Sequence, residues 1–165
     1  MLSRLYWVEA PFPGRLAIMA RPRGGEWLSD EIAGLRAETV DIIVSLLEPA
    51  EVEELGLTEE PTQCRAHGME FISFPIPDRG VPDSPTAAAP LFRQLSSALT
   101  AGRSVVVHCR AGIGRSSLVA ACIMACSASS CDNAFEAIGR ARGLSVPDTD
   151  EQRRWFAAFE TGSHR

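Results

Sequence analysis

One thiol in this chain stands where it could attack. The segment His108-Cys109-Arg110-Ala111-Gly112-Ile113-Gly114-Arg115-Ser116 follows the apolar run Ser104 to His108 and leads into an Ala-rich stretch ending near Cys126. That order reads as strand, loop, helix. A loop entering a helix N-terminus turns successive backbone N–H groups inward and forms an anion-binding nest. Gly112 and Gly114 permit the dihedrals and the close backbone approach this needs. A tetrahedral dianion such as phosphate would fill the nest, bound by the N–H groups of Arg110, Ala111, Gly112, Ile113, Gly114 and Arg115. The Arg115 side chain would fork onto two of its oxygens. Cys109 lies at the base, where the helix dipole, the inward N–H groups and Arg115 all favour a thiolate. Ser116 can donate a hydrogen bond to the sulfur and ease its departure. His108 reads as an orienter of the loop, because a thiolate already formed needs no base. The plain alternative is a buried structural cysteine before a Gly-rich helix start. It leaves unexplained why an arginine follows the cysteine by six residues in the same loop.

The pattern HCxxGxxR[ST] resembles the active-site loop of the cysteine-dependent protein tyrosine phosphatase superfamily, matching at His108, Cys109, Gly112, Arg115 and Ser116. The mechanism implied by the resemblance has two steps. A Cys109 thiolate displaces the leaving group from phosphorus, and water then hydrolyses the phosphocysteine. No metal and no cofactor are implied. The leaving oxygen must be protonated, and a carboxylic acid on a loop does this well. The stretch PIPDRGVPD offers Asp78 and Asp83, about thirty residues before Cys109, and either could equally be a turn residue beside Pro and Gly. This stretch resembles the acid loop of small dual-specificity phosphatases, especially the cyclin-dependent-kinase-associated group. The resemblance carries the acid onto Asp78, with Asp83 as the fallback. It also places Gln152 near the attacking water; by itself Gln152 is a polar first-turn residue of a capped helix. The resemblance covers roughly residues 40 to 160.

These groups need a scaffold, and the pattern supplies one. Leu5 to Val8 and Leu16 to Met19 read as two strands around a Pro/Gly turn. Ser29 or Asp30 can cap a helix running to about Glu38. Val40 to Leu46 is β-branched and nearly all apolar, as suits a strand buried on both faces of a parallel sheet. Glu48 to Leu57 reads as a helix whose charge is a solvated face. Met69 to Phe74 reads as a strand, followed by a Pro-rich loop and a helix from about Ala87 to Ala101, ended by Gly102. Two further helices are expected near Asn133 to Arg142 and Thr149 to Phe159. The alternation predicts an α/β fold: a central, largely parallel sheet of four to five strands with helices on both faces, like that of the dual-specificity phosphatases. Ligands bind beyond the carboxyl ends of strands in such folds, and Cys109 sits at that edge.

The chain has 165 residues, enough for one domain spanning 1–165 with its core in roughly 40–160. Its net charge is −5, which argues against nucleic acid or an anionic membrane as partner. There is no Lys, so side-chain phosphate contacts fall to Arg or His. A phosphorylated protein is the expected partner and a monomer the expected state. The absence of a long apolar run points to a cytoplasmic protein with reduced thiols. Of the other cysteines, Cys122, Cys126 and Cys131 read as small packing residues. Cys64, in a polar loop, could form a protective disulfide with Cys109 of the kind known in some relatives. His67 and His164 read as exposed, and Trp7, Trp27 and Trp155 as packing residues. A shallow pocket accepting phosphotyrosine, and also phosphoserine or phosphothreonine, fits best, because phosphoinositide phosphatases carry more positive charge in the loop than one extra arginine. The competing readings are a phosphate-binding pseudophosphatase module, a phosphatase for a non-protein phosphoester such as a phosphoinositide, and a sulfur-transfer or arsenate-reducing enzyme.

Overall fold

Three consecutive valines, Val105, Val106 and Val107, form the middle of the molecule. Successive side chains of a strand point to opposite faces. Val105 and Val107 accordingly join one apolar core, while Val106 joins another on the far side. In a computed structural model of the chain, which describes residues 2–127 and 133–163, they belong to β5 (Val105–Cys109), the central strand of five. Cys131 and His164 lie outside the described residues.

The remaining strands are β1 (Tyr6–Val8), β2 (Leu16–Ala20), β3 (Ile42–Ser45) and β4 (Glu70–Ser73), in the order β1-β2-β5-β3-β4. β2, β5, β3 and β4 run parallel, and β1 closes one edge antiparallel to β2. This is the expected α/β sheet. Every residue of β5 and β3 is buried, as strands covered on both faces must be.

The helices are α1 (Leu28–Ala37), α2 (Pro49–Glu54), α3 (Glu60–Ala66), α4 (Pro85–Thr100), α5 (Arg115–Ala125), α6 (Ala134–Arg142) and α7 (Asp150–Ser163). Side chains of α4, α5, α6 and α7 pack on the Val105/Val107 face, and those of α1 and α3 on the Val106 face. All eleven residues of α5 are buried, because it runs through the middle of its layer against α4, α6 and α7. Its small Ala, Ser and Cys side chains allow that close approach. Phe92 of α4 meets Phe159 and Trp155 of α7 edge-on, at ring separations of 5.4 and 6.4 Å. No helix among the described residues is long and apolar enough to cross a membrane.

Five local expectations are corrected. α1 begins at Leu28 with Trp27 as its N-cap and no side-chain cap, so Ser29 and Asp30 fall inside its first turn. Residues 60–66 form α3 rather than a polar loop, begun by Glu60 and Pro61. Cys64 is therefore a fully buried helical residue, its thiol pushed up to about 12 by burial. α2 is shorter than Glu48 to Leu57, and its charge is not wholly solvated: Glu51 turns inward. His67 is only partly exposed, its Nδ1 lying 2.9 Å from the Gln63 carbonyl oxygen, and Trp27 is half exposed beneath the Arg23 guanidinium.

Candidate active site

The carboxyl end of β5 delivers Cys109 to the sheet edge, and α5 starts six residues later at Arg115. Between them the loop needs two glycines for different reasons. Gly112 has φ +69°, and a Cβ there would lie 2.5 Å from the Ala20 backbone nitrogen, so the loop can lie against the end of β2 only without a side chain. Gly114 has ordinary dihedrals, but a Cβ would come within 2.8 Å of Asp148 Cβ and 3.1 Å of the Gln152 amide. Three of the loop's carbonyl oxygens accept from donors outside the loop. The Arg21 N–H donates to Arg110 O, Arg142 Nε donates to Gly112 O at 2.9 Å, and Arg142 Nη2 donates to Ala111 O at 3.4 Å. With those carbonyls turned outward, the N–H groups are left for the inner side, as an anion nest requires. Arg142 itself lies over the Tyr6 ring, 4.3 Å from its centroid.

Cys109 Sγ lies 3.3 Å from Ser116 Oγ, within hydrogen-bond reach of the first turn of α5. Strand alternation sends the neighbouring His108 to the opposite face. There its Nε2 lies 2.7 Å from Glu60 Oε1 of α3, both side chains fully buried. His108 thus anchors the loop from behind the sheet and does not enter the site.

Arg115 is almost wholly enclosed, only 2% exposed. Glu51 receives it bidentately, Nη1 and Nη2 donating at 2.8 and 2.9 Å. Nη1 also donates to the Ile76 carbonyl at 3.0 Å, and Nη2 to Asp78 Oδ1 at 3.1 Å. The hydrogen bonds from Arg115 hold the Glu51 carboxyl below the usual carboxylate range, against the upward push of burial. Arg110 points outward instead, to Glu54 at 3.1 Å and Glu51 at 3.9 Å. Ala111 is exposed and Ile113 packs partly against the larger core.

Asp78 and Asp83 part company here. Asp78 contacts Arg115 and is 60% exposed, so it lies beside the guanidinium and still faces solvent. Asp83 is exposed and precedes Ser84, the N-cap of α4, whose Oγ accepts from the Ala87 N–H at 3.0 Å. Gln152 is fully buried behind Gly114, and its amide nitrogen donates to Gly80 O at 3.1 Å. Cys109, Arg115, Ser116 and Asp78 are brought together, with Gln152 supporting from beneath. Sequence reasoning missed Glu51, Glu60 and Arg142. A buried guanidinium demands a carboxylate, but the chain holds 21 acidic residues and nothing in their spacing singles out Glu51.

A thiol at a central strand's end, a loop fitted by two glycines, and a buried arginine opening the next helix are the arrangement that the resemblance to dual-specificity phosphatases leads one to expect. Residues 17–128 match the family described as "Polymorphic toxin system, DSP-PTPase phosphatase", and the chain belongs to that family. It is similar to cyclin-dependent kinase inhibitor 3 of Rattus norvegicus, 32% identical over 95 residues, 56% of this chain and 44% of the relative; the human protein is 31% identical over 99 residues. The chain thus spans less than half the length of these curated relatives. Among solved structures it resembles a kinase-associated phosphatase whose catalytic cysteine was replaced by serine, with TM-score 0.86 and 20% identity over 99% of this chain and 97% of that one. It also resembles PTPMT1 in complex with PI(5)P, with TM-score 0.73 and 20% identity over 96% and 97%. At these identities the structural likeness speaks to the fold alone.

Proposed function

We propose that the chain hydrolyses phosphomonoesters on a protein substrate, phosphotyrosine foremost and phosphoserine or phosphothreonine with it, through a phosphocysteine intermediate. The observation that carries this reading is the convergence on one strand end of the Cys109 thiol, the Arg115 guanidinium and the Asp78 carboxyl. In the first step the Cys109 thiolate attacks phosphorus in line. The bond to the leaving oxygen breaks, and Asp78 gives that oxygen its proton. In the second, Asp78 takes a proton from water as the water attacks the phosphocysteine, releasing inorganic phosphate and the thiolate. The loop N–H groups and Arg115 stabilise the equatorial oxygens in both steps. A phosphoryl group bound at Nη2 of Arg115 would displace Asp78 from that nitrogen and free its carboxyl for the leaving oxygen. Glu51 keeps the guanidinium in place throughout, since its bidentate grip does not depend on Asp78.

Two observations favour a protein over a polyanionic lipid headgroup. Arg110, the loop's extra cation, is already matched to Glu54 and Glu51. The net charge of −5 also repels highly anionic substrates. We expect para-nitrophenyl phosphate to be turned over with EDTA present. Cys109→Ser should abolish turnover, and Asp78→Ala should slow it at least about a hundredfold for substrates with poor leaving groups, the usual worth of a general acid. Asp83→Ala should leave the rate within a factor of about three. Turnover that survives Cys109→Ser would end the phosphocysteine reading. Phosphate binding without turnover would favour a binding module.

A further inference from the structure

Asp78 is held in a four-residue turn. The Gly80 N–H donates to Pro77 O at 2.8 Å, which makes Asp78 and Arg79 the two central residues. Arg79 has φ +60°. That conformation suits glycine, or at a cost asparagine, and for another L-residue costs about 1–2 kcal/mol. Something outside the turn must therefore hold it in shape. The segment that does so is Asp148 to Gln152, at the start of α7.

The Gln152 side chain is fully buried. Its Oε1 accepts from the Asp148 N–H at 3.0 Å and the Thr149 N–H at 3.2 Å, and its Nε2 donates to Gly80 O at 3.1 Å, the last carbonyl of the turn. A second contact runs in parallel, with Arg79 Nε 3.7 Å from Asp148 Oδ2. The same segment is seated against the phosphate loop, because the missing side chain of Gly114 admits Asp148 and Gln152. One amide therefore registers the acid's turn against the loop that carries Cys109 and Arg115.

We infer that Gln152 is a positioning residue for the general acid, acting through Gly80, rather than the residue that orients the attacking water. A glutamine that places water must expose an amide atom to the site. Here Oε1 accepts from two backbone N–H groups, Nε2 gives one hydrogen to Gly80 O, and none of the side chain is exposed. The two roles differ in which step they serve. An acid's placement matters only while the leaving group departs, and matters more for a poor leaving group. Water orientation matters only in the second step, which is the same for every substrate.

This inference rests on Asp78 being the acid, and one experiment separates the two. kcat/KM is measured for a series of aryl phosphates of rising leaving-group pKa, for wild type, Asp78→Asn, Gln152→Glu, Gln152→Met and Asp78→Asn/Gln152→Met. Gln152→Glu keeps the acceptor oxygen and loses the donor to Gly80; Gln152→Met keeps the volume and loses both. Inhibition by inorganic phosphate reports whether the phosphate loop is intact in each variant. We expect both Gln152 variants to lose about tenfold or more in kcat/KM for phenyl phosphate and less than about threefold for para-nitrophenyl phosphate, as a misplaced acid should. Adding Gln152→Met to Asp78→Asn should not steepen the leaving-group dependence further. If Asp78→Asn leaves that dependence unchanged, the acid assignment is wrong. If Asp78→Asn steepens it while Gln152 variants with normal phosphate inhibition slow every substrate equally, or lower kcat with accumulation of phosphoenzyme, the inference is overturned.

Discussion

Arg115 shows how much a single side chain depends on its partner. A guanidinium this enclosed is tolerable only because Glu51 answers it at two nitrogens. Glu51→Ala should cost about 3 kcal/mol of stability, the usual penalty for removing one partner of a buried ion pair, with a matching loss of affinity for inorganic phosphate. The pH dependence has a definite sign. The Glu51 carboxyl is lowered from its ordinary 4.5 in the folded chain, so the unfolded state takes up its proton first as pH falls. Its contribution is complete above 4.5 and is lost as pH drops through the depressed native value. Denaturant melts of wild type and variant should therefore converge as pH falls below 4.5. A gap that stays constant over that range would show that Glu51 does not stabilise as a carboxylate.

The strand, loop and helix made by β5, residues 110–114 and α5 form a unit whose shape is set by the absence of side chains at two positions. At Gly112 the dihedral and the contact with β2 both exclude a Cβ. Gly112→Ala should lower stability by about 1–3 kcal/mol from the strained dihedral and weaken inhibition by inorganic phosphate, because the loop must leave β2. Gly162, in α7, supplies the control. A Cβ there meets nothing within 4 Å, so Gly162→Ala should be neutral or slightly stabilising in thermal melts. Unchanged phosphate inhibition in a folded Gly112→Ala protein would mean that the close fit against Ala20 is not what shapes the nest.

Across the whole molecule, the sheet separates what the sequence left adjacent. Cys109 belongs to the core beneath α4 to α7, and Cys64 to the core beneath α1 and α3. A disulfide between them would have to pass through the sheet, which the roughly 4.4–6.8 Å Cα separation of such bonds does not accommodate. Treatment with peroxide should inactivate wild type and Cys64→Ala at the same rate, and peptide mapping under non-reducing conditions should find no link between residues 64 and 109. A recovered 64–109 disulfide would require the sheet to open at β5. The same division explains why His108 and Cys109, neighbours in the chain, serve opposite sides, one tied to Glu60 and the other to Ser116.

Local order was legible in the sequence because it depends on local chemistry. The loop of His108 to Ser116 announced itself through residue types at fixed spacing. The Val-rich runs marked strands buried on both faces, and the alternation of strands and helices marked a parallel sheet. The carboxylate that would answer Arg115 could not be read this way. Glu51 lies 64 residues before Arg115, and only the tertiary placement of α2 brings the two into contact. Which of Asp78 and Asp83 meets Arg115 was hidden in the same way, since both follow a proline and only Asp78 lies in the turn of residues 77–80 that reaches the guanidinium. Spacing reveals groups whose partners are nearby in the chain. Partners far apart in sequence are decided by burial, which compels a charge to find its opposite wherever the fold has put it.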